Sequence, residues 1–488
     1  MLLVSRLRAE KDAGEPLFTR EQPLWDAWGA YAYLTDMGFV ERLVVGDFKA
    51  GFGEGLVLNN NFRLGKFSTG LWRSSNGVRP HRSTDETQFL RGIAATLRLT
   101  PHWQLTALYS RRRLDATLRD DGSVQTLLTS GLHRTESERA RRHNLTCQTT
   151  ALHVAWSAGS WRAGATAMYQ HYDHLFVRGQ QLYQQIAPQG YRFGHVAVDY
   201  GLRLPHLTLS GETAQSLADG NHGLATLNKA AWRFSSTTQL TLVQRFYSSH
   251  YYAFLASTYG ENSHVQNESG LSLLFDADRL GPIGLQAYFD FFYSPWPRYS
   301  MSRASNGWEG MVQATCPLRR GVNLTLRYGV KSKEQSDRRH LNHRLRATYE
   351  QPLAPQWMLR ATALLHLYHE EGQASHGFAV APRIDWKPAD SRLRASLMAS
   401  WFHTTDYDAR LYLYEPAPTQ TFSLVSLYGR GQRAAATLCW QPNVNSKLSL
   451  QSKIGITHYD DRNLISSGPL AIHSSWKADI QLLLRWQF

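Results

Sequence analysis

Apolar residues recur at every second position along most of this chain. The clearest run lies at the end. Trp476, Ala478, Ile480, Leu482, Leu484, Trp486 and Phe488 share one parity; Lys477, Asp479, Gln481, Arg485 and Gln487 share the other, with Leu483 the apolar exception. On a helix Ile480, Leu484 and Lys477 would fall together, whereas on a strand they separate. The same period runs through Trp357–Leu367, Leu393–Trp401, Val322–Val330, Ile283–Phe291 and Trp103–Tyr109. Short turn-rich joints connect some of these runs: 99–103, 319–322, 353–357, 388–391 and 442–446. Long polar stretches separate others, at 118–142, 174–192, 252–269 and 412–423. Alternating strands with short turns on one side and long loops on the other predict a transmembrane antiparallel β-barrel of about 20–24 strands.

Composition sharpens that expectation. The chain has 488 residues, 12% of them aromatic and 15 of them Trp. Its mean hydropathy is nonetheless low, and no run approaches the ~18 apolar residues of a spanning helix. A barrel reconciles these facts, because only alternate strand residues face lipid. No Ser/Gly linker or charge tract divides the chain, so residues 1–488 are expected to form a single all-β outer-membrane barrel. Trp103, Tyr109, Trp357, Trp401, Trp440 and Trp476 lie on or at the ends of apolar faces, where an aromatic girdle meets the headgroups. The expected location is the bacterial outer membrane, with lipid and lipopolysaccharide as partners. Leu484, Trp486 and Phe488 resemble the last-strand signal that barrel-assembly machinery reads during insertion.

Charge adds a second theme. Lys and Arg number 53 against 39 Asp and Glu, a formal net charge of +14. Arg98, Arg327, Arg360, Arg394, Arg433 and Arg485 fall on the polar parity of their runs, so they are candidates for a lumen. Charges there need water or carboxylate partners, and Asp290 and Asp479 are candidate partners. An anion-preferring or carbohydrate-handling lumen is one reading; a solvated ladder of ion pairs is the other.

Little suggests reactive chemistry. Cys147, Cys316 and Cys439 form no disulfide framework or metal pattern. The stretch Gly46-Asp-Phe-Lys-Ala-Gly-Phe-Gly-Glu-Gly-Leu56 lacks the lysine of a phosphate loop; its glycines are expected to mark a strand kink, bulge or close backbone approach. His171 and His174 point to opposite faces of a strand. No GxSxG is present. No catalytic residue, cofactor site or metal site is therefore expected. The opening MLLVSRLRAE is too short in apolar residues for a secretory signal, so a mature or truncated chain, or a misplaced start, is expected.

An ordered set of short motifs adds a resemblance. It comprises Glu10-Lys-Asp-Ala-Gly-Glu15; Gly46-Asp47, Phe52-Gly53 and Gly55-Leu56; Glu86 and Phe89-Leu-Arg-Gly92; and Tyr109-Ser-Arg-Arg with Leu114-Asp-Ala116. His133-Arg-Thr135, Arg245 with Tyr247, Tyr259-Gly-Glu-Asn262 and Asn267-Glu268 follow, then Phe289 to Trp296, Ala409-Arg410, Tyr412, Tyr414-Glu415, Tyr428, Gly431 and Arg433. Together they resemble the C-terminal barrel of bacterial outer-membrane proteins that carry a periplasmic helix-hairpin-helix region. The resemblance implies a barrel whose periplasmic part, absent from this sequence, could contact nucleic acid. The leading functional expectation is a non-enzymatic barrel of transport or assembly type. A plugged scaffold recruiting periplasmic or surface protein partners is the first alternative. DNA uptake, implied by the resemblance alone, and an outer-membrane enzyme follow it.

Overall fold

The computed structural model describes residues 2–16, 18–19, 25–61, 66, 77–218, 221–389, 392–443 and 447–486. Within these, strands dominate, and they belong to a 24-stranded sheet that is antiparallel apart from a single parallel bridge, Val124 to Phe176. Two members, Arg79–Pro80 and Val124–Leu128, are short; the others run from 9 to 17 residues. Since ~9–11 tilted residues cross the hydrocarbon, the longest strands project beyond it. This is a β-barrel fold of the outer-membrane type.

The chain forms two compact units. The first comprises Met1–Phe234, Gln239–Leu273 and Asp290–Asn306. In it Leu2–Glu10, Ala27–Met37, Val40–Lys49, Leu90–Arg98, Trp103–Leu118, Leu145–Ala158, Trp161–Phe176, Gly190–Arg203, Leu207–Ala218, Asn221–Arg233 and Thr238–Tyr247 each pair with the next. The second comprises Ser235–Thr238, Leu274–Phe289 and Gly307–Phe488. Its consecutive ladder runs through Ser305–Arg319, Val322–Gln335, Arg338–Ala354, Trp357–Glu370, Gln373–Trp386, Leu393–Thr404, Arg430–Trp440, Leu448–Tyr459 and Trp476–Trp486. Glu268–Leu280 and Ile283–Ser294 complete the long strands.

Register converts the period of two into faces. In the second unit Val312, Tyr328, Leu345, Leu365 and Phe378 stand side by side on five strands. The neighbouring row on the same face is Ala314, Leu326, Ala347, Ala363, Val380 and Trp401. Within this apolar belt Val312, Leu326, Tyr328, Leu345, Leu365, Val380 and Trp401 are exposed, as a lipid face must be. The row between them is Gln313, Arg327, Arg346, Leu364, Ala379 and Phe402, and it faces the other way.

The connections differ from expectation on the loop side. Several are tight rather than long. Ser336-Asp337 and Glu371-Gly372 close hairpins through positive φ at all four residues, the geometry that matches the twist of two-residue hairpins. The long 119–144 connection carries a one-turn helix, Glu136–Ala140, with a capping box between Thr135 and Glu138.

Candidate functional site

The glycine-rich stretch does more than kink a strand. Gly46 remains in the sheet, where a Cβ would strike the Ala30 carbonyl, as a close approach requires. The chain then leaves the sheet. Ala50, Phe52, Leu56, Val57 and Leu58 fold onto the buried face of the first unit and are no more than 3% exposed. Gly53 takes φ +55 against the Glu212 carboxylate, and Gly55 takes φ +86 against the Ser257 carbonyl; neither has room for a side chain.

This infolded segment is fastened by charge and by backbone. Glu212, on the strand Leu207–Ala218, accepts the amides of Glu54 (2.6 Å) and Leu56 (3.0 Å). Glu54 pairs with Lys229 and accepts the Ser210 hydroxyl at 2.6 Å. The 248–267 loop closes over it. There Tyr251 donates to the Leu56 carbonyl at 2.7 Å, Thr258 donates to the Glu54 carbonyl at 2.7 Å, and the Leu255 carbonyl accepts the Asn59 amide at 2.8 Å. Phe52 stacks on His153, ring centroids 4.4 Å apart.

A buried ion network lies in the same unit. Arg245 is enclosed, donating to Glu268 at 2.5 Å and to both oxygens of Asp290 at 2.8 and 3.1 Å. Ser272 bridges Arg245 and Asp290. Lys66 reaches Asp290 at 2.6 Å and Glu261 at 2.7 Å. Asp290 was legible as a partner for an inward arginine, but Arg245 was not among the lumen candidates.

The loop ends of the first unit enclose a cavity of about 600 Å³, lined in part by Arg8, Phe89, Arg112, Gln170, Tyr172 and Phe254. The Arg112 guanidinium lies 3.7 Å over Phe89 and donates to the carbonyls of Glu86, Thr87 and Phe89. Burial, together with a hydrogen bond to Glu10, pushes the Glu86 carboxyl well above the ordinary carboxylate range. At the cavity wall His133 is clamped between two acids. Its Nδ1 lies 2.6 Å from Asp26 and its Nε2 2.9 Å from Asp115, while Glu15 accepts its amide at 2.9 Å. Glu15, Asp26 and His133 bring donor atoms within 4.8 Å of one another, but those atoms are spent on each other and on backbone amides. The clamp ties the 11–26 segment to the 129–144 segment.

The clamp sets a pH dependence. Burial lowers the His133 pKa, but the bonds to Asp115 and Asp26 outweigh it and raise the value to about 9. A raised pKa contributes stability fully present below the ordinary 6.5 and lost as pH rises through about 9. Trypsin cleavage at Arg139–Arg142, normalised to an unstructured peptide, should therefore be slow at pH 7 and accelerate above pH 9. H133Q should be cleaved readily at both. A flat profile in the unsubstituted chain would contradict the clamp.

The second unit also draws a loop onto its buried face. The hairpin Leu411–Tyr414 and Leu424–Leu427 packs Leu411, Leu413 and Leu427 against Ala379, Met398, Phe402 and Tyr459. Glu415 then holds Arg433 at 2.6 Å and Lys453 at 2.8 Å, and Asp479 holds Arg433 at 2.8 Å. Arg433 is thus a buried hub. Arg360 pairs with Glu350 at 2.5 Å, and Arg327 donates to Gln313 at 2.7 Å. Arg98 and Arg394 sit by short turns, bonded to Glu41 (3.3 Å) and Gln441 (2.8 Å). Arg485 lies opposite Ser449. Trp103, Tyr109, Trp357, Trp401, Trp440 and Trp476 are all exposed, as are Leu484 and Trp486; Phe488 lies outside the described residues.

No family model and no curated protein matches the chain. Among solved structures it is similar to the siderophore receptor PirA from Acinetobacter baumannii, at 8% identity over 94% of this chain and 77% of that one, TM-score 0.47. It is similar to the ferric enterobactin receptor PfeA from Pseudomonas aeruginosa, at 10% identity over 93% and 77%, TM-score 0.46. It is also similar to the FrpB iron transporter from Neisseria meningitidis, at 9% identity over 93% and 81%, TM-score 0.43. The barrel assignment rests on the ladders and two faces described above, not on these scores.

Proposed function

We propose that this chain is a non-enzymatic, transport-type protein of the outer membrane, whose passage is narrowed by its own infolded loops. The observation that supports this best is the segment Ala50–Asn60, buried on the face of the sheet turned away from lipid and fastened by Glu212, Lys229 and Tyr251. A purely structural plug would need only apolar packing. Here a buried Glu54–Lys229 pair holds the segment, and removing either partner leaves an uncompensated charge. Such a contact can be opened by a competing charge, which suits a gate. The exposed end of the last strand, Leu484 and Trp486, is proposed to be what the assembly machinery reads.

The test is conductance in planar bilayers. Replacing Gly51–Asn60 with a short Gly/Ser linker should raise single-channel conductance several-fold over that of the unaltered chain. If neither protein carries current, the transport reading fails. A scaffold barrel, which shares the same filling, then becomes the better account.

A further inference from the structure

The outward face of the first unit changes character at one row. Arg111, Gln148, His171 and Arg192 stand side by side on the strands Trp103–Leu118, Leu145–Ala158, Trp161–Phe176 and Gly190–Arg203. The row before it on the same face is Tyr109, Thr150, Tyr169 and Gly194, and the one before that is Ala107, Leu152, Ala167 and Val196. Tyr109, Tyr169, Leu152 and Val196 are exposed, as lipid-facing residues are. At the far end of this face Trp103 stands opposite Trp156, beside the short 99–103 joint. Arg111 is the ninth residue counted from Trp103, and ~9–11 tilted residues cross the hydrocarbon. The arginine row therefore lies at headgroup depth. It is turned toward the long 119–144 connection, and long loops mark the outer side of such barrels.

These arginines lack the counter-charge that their neighbour has. Arg91, on the adjoining strand and the same face, holds Asp47 at 2.6 Å. Arg113 lies two residues beyond Arg111, so it shares the outward face, and Arg111, Arg113 and Arg192 are all exposed. Among the described residues, no carboxylate lies within ion-pair distance of any of the three. Asp173, outward on the strand Trp161–Phe176, is engaged elsewhere, accepting the Thr146 amide and His174 Nδ1 at 2.8 Å each. His171, within the row, keeps a buried Nδ1 with no hydrogen-bond partner. Arg111 and Arg192 are three strand spacings apart, or about 14 Å, while Arg111 and Arg113 are about 7 Å apart along one strand. A group that wide does not close on one small anion; it spans a headgroup.

We propose that Arg111, Arg113, His171 and Arg192 form a docking patch for a phosphorylated glycolipid of the outer leaflet, one whose sugar headgroup carries two phosphates. Guanidinium forks match phosphate with paired, charge-assisted hydrogen bonds, and basic clusters at headgroup depth draw anionic lipid. Arg111 and Arg113 address one phosphate; His171 and Arg192 address the other. Tyr109 and Tyr169, one row nearer the membrane centre, lie where the acyl chains begin. Because the patch is exposed and continuous with the apolar belt, its ligand is a lipid rather than a soluble anion. The patch rests on the outer-membrane location proposed above, but not on transport.

Native mass spectrometry of the full chain in uncharged detergent, with diphosphoryl lipid A and its dephosphorylated form added together, tests the patch. The chain should retain the diphosphoryl form at least tenfold more than the other. The double variant R111Q/R192Q should lose that preference, R111K/R192K should keep part of it, and R98Q, beside a short turn, should leave it unchanged. Because the two side chains are exposed and unpaired, R111Q/R192Q should keep the thermal midpoint of the unaltered chain when no lipid is present. Equal retention of the two lipids, an undiminished preference in R111Q/R192Q, or a lowered midpoint in that variant would each overturn the patch. Displacement of the lipid by an equal concentration of pyrophosphate would overturn the lipid source. The two readings fail separately: a chain that inserts into neutral vesicles but shows no preference loses the patch alone, and one that never inserts loses the membrane location.

Discussion

Replacing Arg245 with methionine should destabilise the protein by about 3–5 kcal/mol, the cost of stranding buried charge. The guanidinium is fully enclosed, and Glu268 and Asp290 are almost fully buried beside it. Methionine fills much of the volume but returns none of the bonds. Lys66 does not compensate, since it already serves Glu261 as well as Asp290. The sharper expectation concerns the rescue. Arg245→Met combined with Glu268→Gln and Asp290→Asn removes one positive and two negative charges together. It leaves the Lys66–Glu261 pair balanced, so the triple variant should recover most of the loss. Reversible urea unfolding, followed by tryptophan fluorescence, measures both. A single variant within about 1 kcal/mol of the unaltered chain, or a triple variant less stable than the single, would contradict the network, given that breaking one buried pair ordinarily costs several times that.

The second large effect comes from the lipid face. Leu326 sits in the exposed apolar row between Ala314 and Ala347, while Thr325, one residue away, turns inward beside Thr315 and Thr348. An arginine on the lipid face near the bilayer midplane costs about 2–4 kcal/mol. The same arginine at an inward position meets water and costs far less. Native Arg327, two residues from Thr325 on the same face, shows that the inward face accepts such a side chain. Leu326→Arg and Thr325→Arg thus differ by one position in sequence and by the whole membrane in environment.

Much of the fold was legible because the period of two is local. Residues 357–367 declare their two faces without knowledge of any other strand, and the structure keeps that parity against both flanking strands. Tight turns such as 320–321 were visible through Gly321. The candidate site was less legible, for a physical reason. Its contacts join residues far apart in sequence: Glu54 to Glu212 across 158 positions, and His133 to Asp26 across 107. No local pattern encodes such a pairing. Gly53 and Gly55 announce unusual backbone, but glycine reads alike in a kinked strand and in a segment folded inward; only the buried Glu212 distinguishes them. Arg245 was not among the lumen candidates, and parity would in any case not have told its enclosure, which Glu268, Asp290 and the Tyr259 ring supply from distant positions. Asp479, by contrast, was correctly matched to an inward arginine because it lies on the plainly alternating last strand.

The central claim is that one face of each strand meets lipid and the other does not. Equilibrium unfolding of Leu326→Arg and Thr325→Arg from the same liposomes, side by side, tests it most directly. The account predicts a loss of about 2–4 kcal/mol for Leu326→Arg and under about 1 kcal/mol for Thr325→Arg. Equal losses, or a larger loss at Thr325, would contradict it.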